Sequence, residues 1–167
     1  MRIPDGDHLP RHVCESCGVI HYQNPKLVTG CILEWDDKVL LCRRAIEPRF
    51  GLWTVPAGFM ENNETTIEAA KRETQEEANA LVEDAHLFAL FNLPHISQVY
   101  IMFRGRLKEG QASPGAESLE IGLFAEQHIP WHELAFPVIQ QSLALYFRDR
   151  KAGRYGMHMG DIARRPG

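Results

Sequence analysis

The sequence predicts an α/β protein, an α/β/α sandwich in which a mixed β-sheet lies between two helices, with a short arm at the N-terminus. Three observations lead to this prediction. Apolar, β-branched runs recur between turn-forming residues, and two segments repeat apolar residues at helical spacing. The 167 residues are enough for one domain with a small appendage.

The elements are predicted in order along the chain. The segment 1–27 is rich in Pro, Gly, His and Cys without periodicity, which indicates an arm outside the core. The main domain is expected over 28–149, and a tail that is mobile or docked on a partner subunit over 150–167. Strands are predicted at 28–35, 39–43, 52–56, 81–91, 98–107 and 119–124.

Two helices complete the sandwich. The first is predicted from Thr65 to about Ala78, because Thr65 and Glu68 have the spacing of a capping box. Asn79 tolerates the left-handed conformation that ends many helices. The second is predicted from Val138 to about Arg148, where the apolar residues fall on one side.

Composition excludes some classes of function. The formal net charge of −4 makes a broad attraction to nucleic acid unexpected. We see neither a signal peptide nor an apolar run long enough to cross a bilayer. The four cysteines suit a reducing compartment better than a disulfide framework, so a cytoplasmic location is expected.

The chemistry is concentrated in three glutamates of the first helix. Glu73, Glu76 and Glu77 are spaced i, i+3, i+4, so that the last two lie within about 60° and 40° of the first around the helix. Such carboxylates repel each other, and a hard divalent cation such as Mg²⁺ offsets the repulsion while it binds phosphate oxygens. The alternative is a solvated acidic surface.

The surroundings of these glutamates resemble a known motif. Gly58, Glu64 and Arg72 precede them at the spacing of the Nudix box, G-x5-E-x7-R-E-U-x-E-E-x-G-U, in which U is a bulky aliphatic residue. The sequence departs from that box in three places, and none of them removes a carboxylate. These departures are Thr74, Asn79 and Ala80.

The resemblance implies a Nudix fold and hydrolysis of a diphosphate compound with Mg²⁺ or Mn²⁺. In the family, the residues that match Glu73, Glu76 and Glu77 bind the metal, and the backbone carbonyl that matches Ala57 often joins them. Arg72 is expected to brace the carboxylates, with Glu64 as a partner. The general base is a later glutamate or a motif glutamate; we favour Glu117, which would also bind the metal, over Glu120.

The resemblance extends over residues 2–148. The segment His21–Lys26 and the triplet Thr29–Cys31 are similar to a Nudix subgroup with an N-terminal zinc-ribbon segment, whose members and neighbours cleave ADP-ribose, FAD or NADH. NADH pyrophosphatases carry an SQPWPFPQS-like motif, whereas residues 92–98 read NLPHISQ. The resemblance therefore favours ADP-ribose or FAD, cleaved to a nucleoside monophosphate and a second phosphate.

Candidate substrate-binding residues flank the box. Guanidinium groups at Arg43, Arg44 and Arg49 can bind phosphate bidentately, although solvated strand-end charges are an equal alternative. Phe50 and His95 can stack on a nucleobase or flavin ring. Trp53 and Phe91 can do the same, although aromatic residues at all four of these positions more often belong to the core.

Cys14 and Cys17 have the spacing of half a zinc ribbon, and a closed zinc site needs four ligands. Three explanations stay open: a chain that starts at an internal Met, with an upstream C-x-x-C absent; replacement of the missing ligands by His8, His12 or His21; and loss of the metal.

Two other functions compete with the hydrolase. One is a Nudix domain that senses a ligand without cleaving it, and the other is a pyrophosphatase of NADH or of an RNA cap. The complete set of glutamates favours an enzyme that acts on a small nucleotide. The family resemblance alone implies a homodimer.

Overall fold

The computed structural model describes residues 1–163. Its helices are α1 (Thr66–Ala78) and α2 (Pro137–Lys151). Its strands are β1 (His12–Val13), β2 (Ile20–His21), β3 (Lys26–Trp35), β4 (Lys38–Arg44), β5 (Trp53–Thr54), β6 (Ala57–Phe59), β7 (Val82–Leu93), β8 (Gln98–Leu107), β9 (Ser118–Ala125) and β10 (His158–Asp161). Short 3₁₀ turns lie at Pro94–Ile96, Lys108–Gly110, Glu126–His128 and Trp131–Glu133. Within residues 1–163 neither helix has the length and apolar character that a membrane crossing requires.

The central sheet is mixed, as predicted. Strands β10, β7, β8, β3, β4 and β5 lie side by side in that order, while β6 also pairs with β3 and β9 with β4. The β3–β8 and β7–β10 pairs are parallel and the others are antiparallel. The small β1–β2 hairpin of the N-terminal arm forms a separate sheet.

Both faces of the sheet are covered. Successive side chains of a strand point to opposite faces, and β4 shows this clearly. Leu40 and Cys42 belong to the apolar cluster that includes Ala70 of α1, whereas Leu41 belongs to the cluster that includes Ile139 of α2. The two helices therefore lie on opposite faces, which confirms the predicted sandwich.

The prediction of one strand at 52–56 is wrong in one respect, because the chain changes its pairing strand within this segment. β5 pairs with β4, but β6 pairs with β3. Pro56 lies between them, has no N–H for a ladder, and uses its carbonyl to accept from Cys31 N at 3.1 Å. This change of partner carries Gly58 to the start of β3.

The tail also differs from its prediction, because it docks on its own chain. α2 continues to Lys151, and β10 pairs with β7. Tyr155 stacks on Tyr146 with ring centroids 5.7 Å apart, and Ile162 N donates to Asn92 O at 2.9 Å. Aromatic burial thus fixes a segment whose Gly- and Arg-rich composition suggested mobility. Arg164 and Arg165, part of that prediction, lie outside the described residues.

Asp149 joins the tail to α2. Its nearly buried carboxylate accepts from Gly156 N at 3.0 Å, and its Oδ2 lies 2.6 Å from Nε2 of His158. Although burial opposes the shift, these contacts and Arg148 hold the pKa of Asp149 at about 2 instead of 3.8. Because the pKa is lowered, the stabilisation is present above pH 3.8 and is lost as the pH falls through about 2.

We therefore expect Asp149→Asn to lower the free energy of unfolding by about 3 kcal/mol at neutral pH, since it removes the charged acceptor that Gly156 N and His158 contact. Urea unfolding followed by circular dichroism measures the change. The control is Asp84→Asn, which alters an exposed ion pair with Arg106 and should change stability by less than about 1 kcal/mol. Equal effects of the two substitutions would contradict the role of Asp149.

Candidate active site

The first helix starts and ends as predicted. Thr65 Oγ1 accepts from Glu68 N at 3.3 Å, and Glu68 Oε2 accepts from Thr65 N at 2.8 Å, so both halves of the capping box are present. At the other end Asn79 is left-handed, with φ 46°, and its N–H donates to Gln75 O. These ends fix the helix register and hence which side chains face the sheet.

Arg72 is the centre of the acidic face. Its Nε and Nη2 donate to Glu64 at 3.0 and 2.8 Å, and its Nη1 donates to Glu73 at 2.8 Å and to Glu76 at 3.0 Å. Its Nη2 also donates to Phe59 O at 3.1 Å. The Arg72 guanidinium lowers the pKa of Glu64 to about 2. The predicted bracing of the carboxylates by Arg72 and Glu64 is present.

Gly58 lies directly under Glu73. A Cβ atom added at Gly58 would be 2.3 Å from Glu73 Oε2, well inside van der Waals contact. β6 runs antiparallel to β3 here, with Gly58 opposite Thr29. A side chain at position 58 would therefore displace the carboxylate of Glu73.

Glu77 is buried, with 6% of its surface exposed. Its Oε2 accepts from the N–H of Ala57 at 3.2 Å. Burial, with a smaller contribution from the charge of Glu73, raises the pKa of Glu77 to about 8, although Ala57 and Arg44 oppose the rise. Burial likewise raises the pKa of Glu73. The neighbouring N–H of Ala57 and the charge of Arg44 therefore do not fully compensate the negative charge of the Glu77 carboxylate.

Glu117 is brought to the same place by a loop that is attached to the end of α1. Gly115 N donates to Glu77 O at 2.9 Å, and Ala45 N donates to Glu117 O at 2.8 Å. The charge of Glu117 contributes to the raised pKa values of both Glu73 and Glu77.

Glu120, the alternative base, lies further along β9. It is the register partner of Arg43, and its Oε2 is 3.8 Å from Arg43 Nη1. Glu120 is therefore paired with Arg43, whereas Glu117 is the later glutamate whose charge acts on Glu73 and Glu77.

Arg44 is buried, with 9% of its surface exposed, and lies near Glu77 and two aromatic rings. Burial raises the pKa values of both Glu77 and Tyr100, and the charge of Arg44 opposes the rise in each. The guanidinium of Arg44 is 5.3 Å from the ring centre of Phe136. Among the described residues the side chain makes one hydrogen bond, from Nε to Pro48 O at 2.9 Å. Its Nη donors therefore have no protein acceptor within residues 1–163.

The other predicted substrate residues differ in placement. Arg43 donates through Nε to Gly51 O at 2.8 Å, whereas Arg49 and Phe50 are exposed on the loop that follows β4. His95 is exposed on the 3₁₀ turn after β7, and no contact joins it to the motif glutamates within the described chain. Trp53 and Phe91 are buried in the core, so the core interpretation of these two rings is confirmed.

Sequence reasoning missed Tyr100 and Phe136, which surround Arg44. Tyr100 lies on β8 and Phe136 directly precedes α2, so they are far from Arg44 in sequence. No spacing rule links residues on three different elements, and no local signal pointed to them.

The donor set fits a hard divalent cation. Glu73, Glu76, Glu77 and Glu117 offer only oxygen ligands, and the raised pKa of Glu77 shows that a positive charge would be favourable there. Within residues 1–163 no group of three or more His, Cys, Asp or Glu is already arranged to hold a metal. Glu76 is now paired with Arg72, but its side chain is 58% exposed and can turn without backbone movement.

The N-terminal arm does not offer the four ligands of a closed zinc site. Cys14 and Cys17 are free thiols, and hydrogen bonds with Ser16, together with the backbone N–H of Cys17, lower the pKa of Cys14 to about 6. His12 and His21 are cross-strand partners, but in the described part of the chain they form no metal-binding group with the thiols. Zinc at Cys14 and Cys17 stays a prediction.

Comparison with known sequences identifies proteins that are similar to this chain. The family model described as NUDIX domain matches residues 24–146, and the one described as Nudix N-terminal, a zinc-ribbon model, matches residues 1–23. An ADP-ribose pyrophosphatase of Methanocaldococcus jannaschii is 32% identical over 109 residues, which are 60% of this chain and 64% of that protein. The NAD-capped RNA hydrolase NudC of Photobacterium profundum is 27% identical over 141 residues, 80% of this chain and 52% of that protein.

The chain thus spans about half to two thirds of the length of these curated relatives. Comparison with solved structures gives a match over nearly the whole chain. The crystal structure of a NUDIX hydrolase from Nitrosomonas europaea has 56% sequence identity and a TM-score of 0.93, with 98% of this chain and 93% of that chain covered. Because the NUDIX model covers more than half of the sequence, this chain belongs to the Nudix hydrolase family.

Proposed function

We propose that the protein hydrolyses, with Mg²⁺ or Mn²⁺, the pyrophosphate bond of a nucleoside diphosphate linked to another group. The products are a nucleoside monophosphate and a second phosphate. The observation that carries the proposal is the buried carboxylate of Glu77 among Glu73, Glu76 and Glu117. Such an all-oxygen set, beside a guanidinium whose Nη donors have no protein acceptor within residues 1–163, suits a metal ion together with a phosphate chain.

Each residue has a proposed task. Glu73, Glu76 and Glu77, with Glu117 and the carbonyl of Ala57, would hold the divalent cation. When bound, the cation neutralises phosphate charge and lowers the pKa of water. Water attacks one phosphorus, the bridging P–O bond breaks, and a carboxylate takes the proton of the water. We assign the proton transfer to Glu117, with Glu120 or a motif glutamate as the alternative.

Arg44 is the proposed partner of a substrate phosphate. Its Nη donors have no protein acceptor within residues 1–163, and it lies near Glu77. A guanidinium offers a phosphate two parallel N–H donors. Arg49 is exposed on the loop that follows β4 and is a second candidate for binding the phosphate chain of the substrate. His95 makes no contact with the motif glutamates within the described residues, and its role in substrate binding stays a prediction.

ADP-ribose and FAD are the proposed substrates. The name of the Methanocaldococcus relative supports ADP-ribose, and the name of the NudC relative supports an NAD-capped RNA as the second candidate. Against the second candidate stands the sequence of residues 92–98, which departs from the motif of NADH pyrophosphatases. A sensor without catalysis is disfavoured because every motif glutamate is present. The homodimer and the cytoplasmic location stay predictions.

A hydrolysis panel tests the proposal. The substrates are ADP-ribose, FAD, NADH, coenzyme A, diadenosine polyphosphates, nucleoside triphosphates and an NAD-capped oligoribonucleotide, each with Mg²⁺ or Mn²⁺. Chromatography identifies the products, and Glu76→Gln is the inactive control. Turnover of ADP-ribose or FAD to AMP above that of the other compounds supports the proposal. Turnover of none, or equal turnover by Glu76→Gln, would overturn it.

A further inference from the structure

Thr29, on β3, carries a buried hydroxyl group that has no partner. The residue is fully buried, and its Oγ1 has no hydrogen-bond partner within residues 1–163. An unpaired hydroxyl in the interior destabilises a fold, and such groups are rare in native proteins. Valine would fill the same space without an unpaired polar atom, so the hydroxyl at this position needs an explanation.

The side chain of Thr29 points toward α1. Cys31 and Leu33, further along β3, belong to the apolar cluster that includes Ala70 of α1. The β3–β8 register runs without a bulge through this part of the strand. Because alternate residues of a regular strand share a face, the hydroxyl of Thr29 lies on the side of the sheet on which α1 packs.

The position across the strand pair from Thr29 is filled by the carboxylate of Glu73. Thr29 and Gly58 are register partners of the antiparallel β3–β6 pair. The Cβ atoms of such partners are about 4.5–5.5 Å apart on the same face. Gly58 has no Cβ, and Glu73 Oε1, Oε2 and Cδ all lie within 2.5 Å of the point where one would stand. Thr29 therefore faces a carboxylate where the neighbouring strand would otherwise offer a side chain.

This carboxylate has an oxygen without a donor. The side chain of Glu73 is 12% exposed, and its Oε1 accepts from Arg72 Nη1 at 2.8 Å. Its Oε2, at 2.3 Å the atom closest to the Cβ position of Gly58, accepts no hydrogen bond from the described part of the chain. An unpaired donor and an unpaired acceptor thus face each other across Gly58. Rotation about χ1 of Thr29 moves the hydroxyl between its staggered positions.

We propose that Thr29 is a positioning residue for Glu73. Its hydroxyl donates to the oxygen that Arg72 does not hold, and so it orients the carboxylate that binds the divalent cation. Hydrogen bonds to a metal-binding side chain fix its orientation, and their loss typically weakens metal binding about ten- to a hundredfold. The assignment rests on the proposed function for the role of Glu73 as a metal ligand.

Thr29→Val tests this role, because it removes the hydroxyl and keeps the shape of the side chain. Electron paramagnetic resonance of free Mn²⁺ gives the Kd for the metal without substrate. We expect the Kd to rise about tenfold in Thr29→Val and to stay within about twofold of the wild type in Thr29→Ser, which keeps the hydroxyl. A Kd of Thr29→Val within twofold of the wild type, or equal weakening by Thr29→Ser, would overturn the proposal.

The stability of the metal-free protein should not fall with the affinity for Mn²⁺. Urea unfolding in EDTA is expected to show Thr29→Val at least as stable as the wild type, since the hydroxyl makes no hydrogen bond that could be lost. A merely structural role of Thr29 would move stability and leave the Kd for Mn²⁺ unchanged.

Thr74→Val is the matched control. Thr74 is fully buried, as Thr29 is, and directly follows Glu73, but its Oγ1 already donates to Ala70 O at 2.8 Å. The same chemical change should therefore leave the Kd for Mn²⁺ within about twofold of the wild type. Equal weakening by the two valine variants would show that any change of packing beside Glu73 loosens the metal, and would overturn the specific role of the Thr29 hydroxyl.

Binding of Mn²⁺ separates this inference from the proposed function, because it needs no turnover. If the wild type hydrolyses no compound of the panel but its affinity for Mn²⁺ depends on the Thr29 hydroxyl, the proposed activity fails and the positioning role stands. If the wild type is active but its affinity for Mn²⁺ does not depend on that hydroxyl, the activity stands and the positioning role is overturned.

Discussion

Glu77→Gln is expected to lower hydrolysis by at least about a thousandfold and to make the metal-free protein more stable above pH 8. The amide keeps the size of the side chain and can still accept from Ala57 N. It loses the charge that we propose to hold the divalent cation, and effects of this size are typical for the loss of a catalytic carboxylate.

The gain in stability follows from the sign of the pKa shift. Burial raises the pKa of Glu77 from 4.5 to about 8. A raised pKa means that the protonated form suits the folded state, so its contribution is complete below pH 4.5 and is lost as the pH rises through about 8. Above that pH the wild type holds a buried charge at a cost of about 5 kcal/mol, and the glutamine variant does not.

Urea unfolding in EDTA, at about pH 6 and at about pH 9, measures this difference beside the assay of turnover. Added Mg²⁺ should stabilise the wild type at the higher pH and leave Glu77→Gln unchanged. The control is Glu83→Gln, an exposed glutamate of β7, which should alter neither turnover nor stability. Retained turnover would remove Glu77 from the catalytic set, and lower stability of the variant above pH 8 would contradict the uncompensated charge.

Local signals predicted the first helix and its acidic face well. The capping box at Thr65 and the helix end at Asn79 depend on residues close in sequence, and both are present. The same is true of Arg72, whose contacts with Glu64, Glu73 and Glu76 need only the helix and the turn before it. Spacing suffices where the chain that forms the site is continuous.

Contacts between elements could not be predicted in this way. Nothing in the sequence separates the three arginines near β4 as phosphate-binding candidates. In the structure Arg43 and Arg44 donate hydrogen bonds through Nε to backbone carbonyls of the loop 45–51, whereas Arg49 is exposed on that loop. Which carbonyl a guanidinium reaches depends on how a loop returns to its strand. The tail shows the same limit, because Tyr146, on which Tyr155 stacks, lies on α2 and carries no signal in the tail's own sequence.

A methyl group at Gly115 is expected to have the second largest effect. The loop 111–117 is fastened to the end of α1 by Gly115 N to Glu77 O and Ser113 N to Ala78 O, both at 2.9 Å. Asn79 Nδ2 adds a bond to Pro114 O at 3.0 Å. A glycine at position 79, as the motif has it, could not make that bond, so the departure at Asn79 tightens this junction.

Gly115→Ala would place a Cβ atom 1.7 Å from Glu76 O. The obstacle is helix backbone and not the end of a flexible side chain, so the loop must move away. We expect the free energy of unfolding to fall by about 2 kcal/mol, which is typical of substitutions that overpack a core. Turnover should fall about a hundredfold, because a displacement of about 1 Å in a catalytic group has that effect, and Glu117 lies two residues further along the same loop.

Unfolding in urea and steady-state kinetics well below the melting temperature separate the two effects. Gly156→Ala is the matched control, because its Cβ would meet only His158 Cε1 at 3.8 Å, an ordinary contact. A variant of Gly115 that loses stability but keeps turnover would show that Glu117 is not the base. Lost turnover with an unchanged Kd for AMP would instead fit our assignment, since it would show that the substitution acts on the loop that carries Glu117 and not on nucleotide binding.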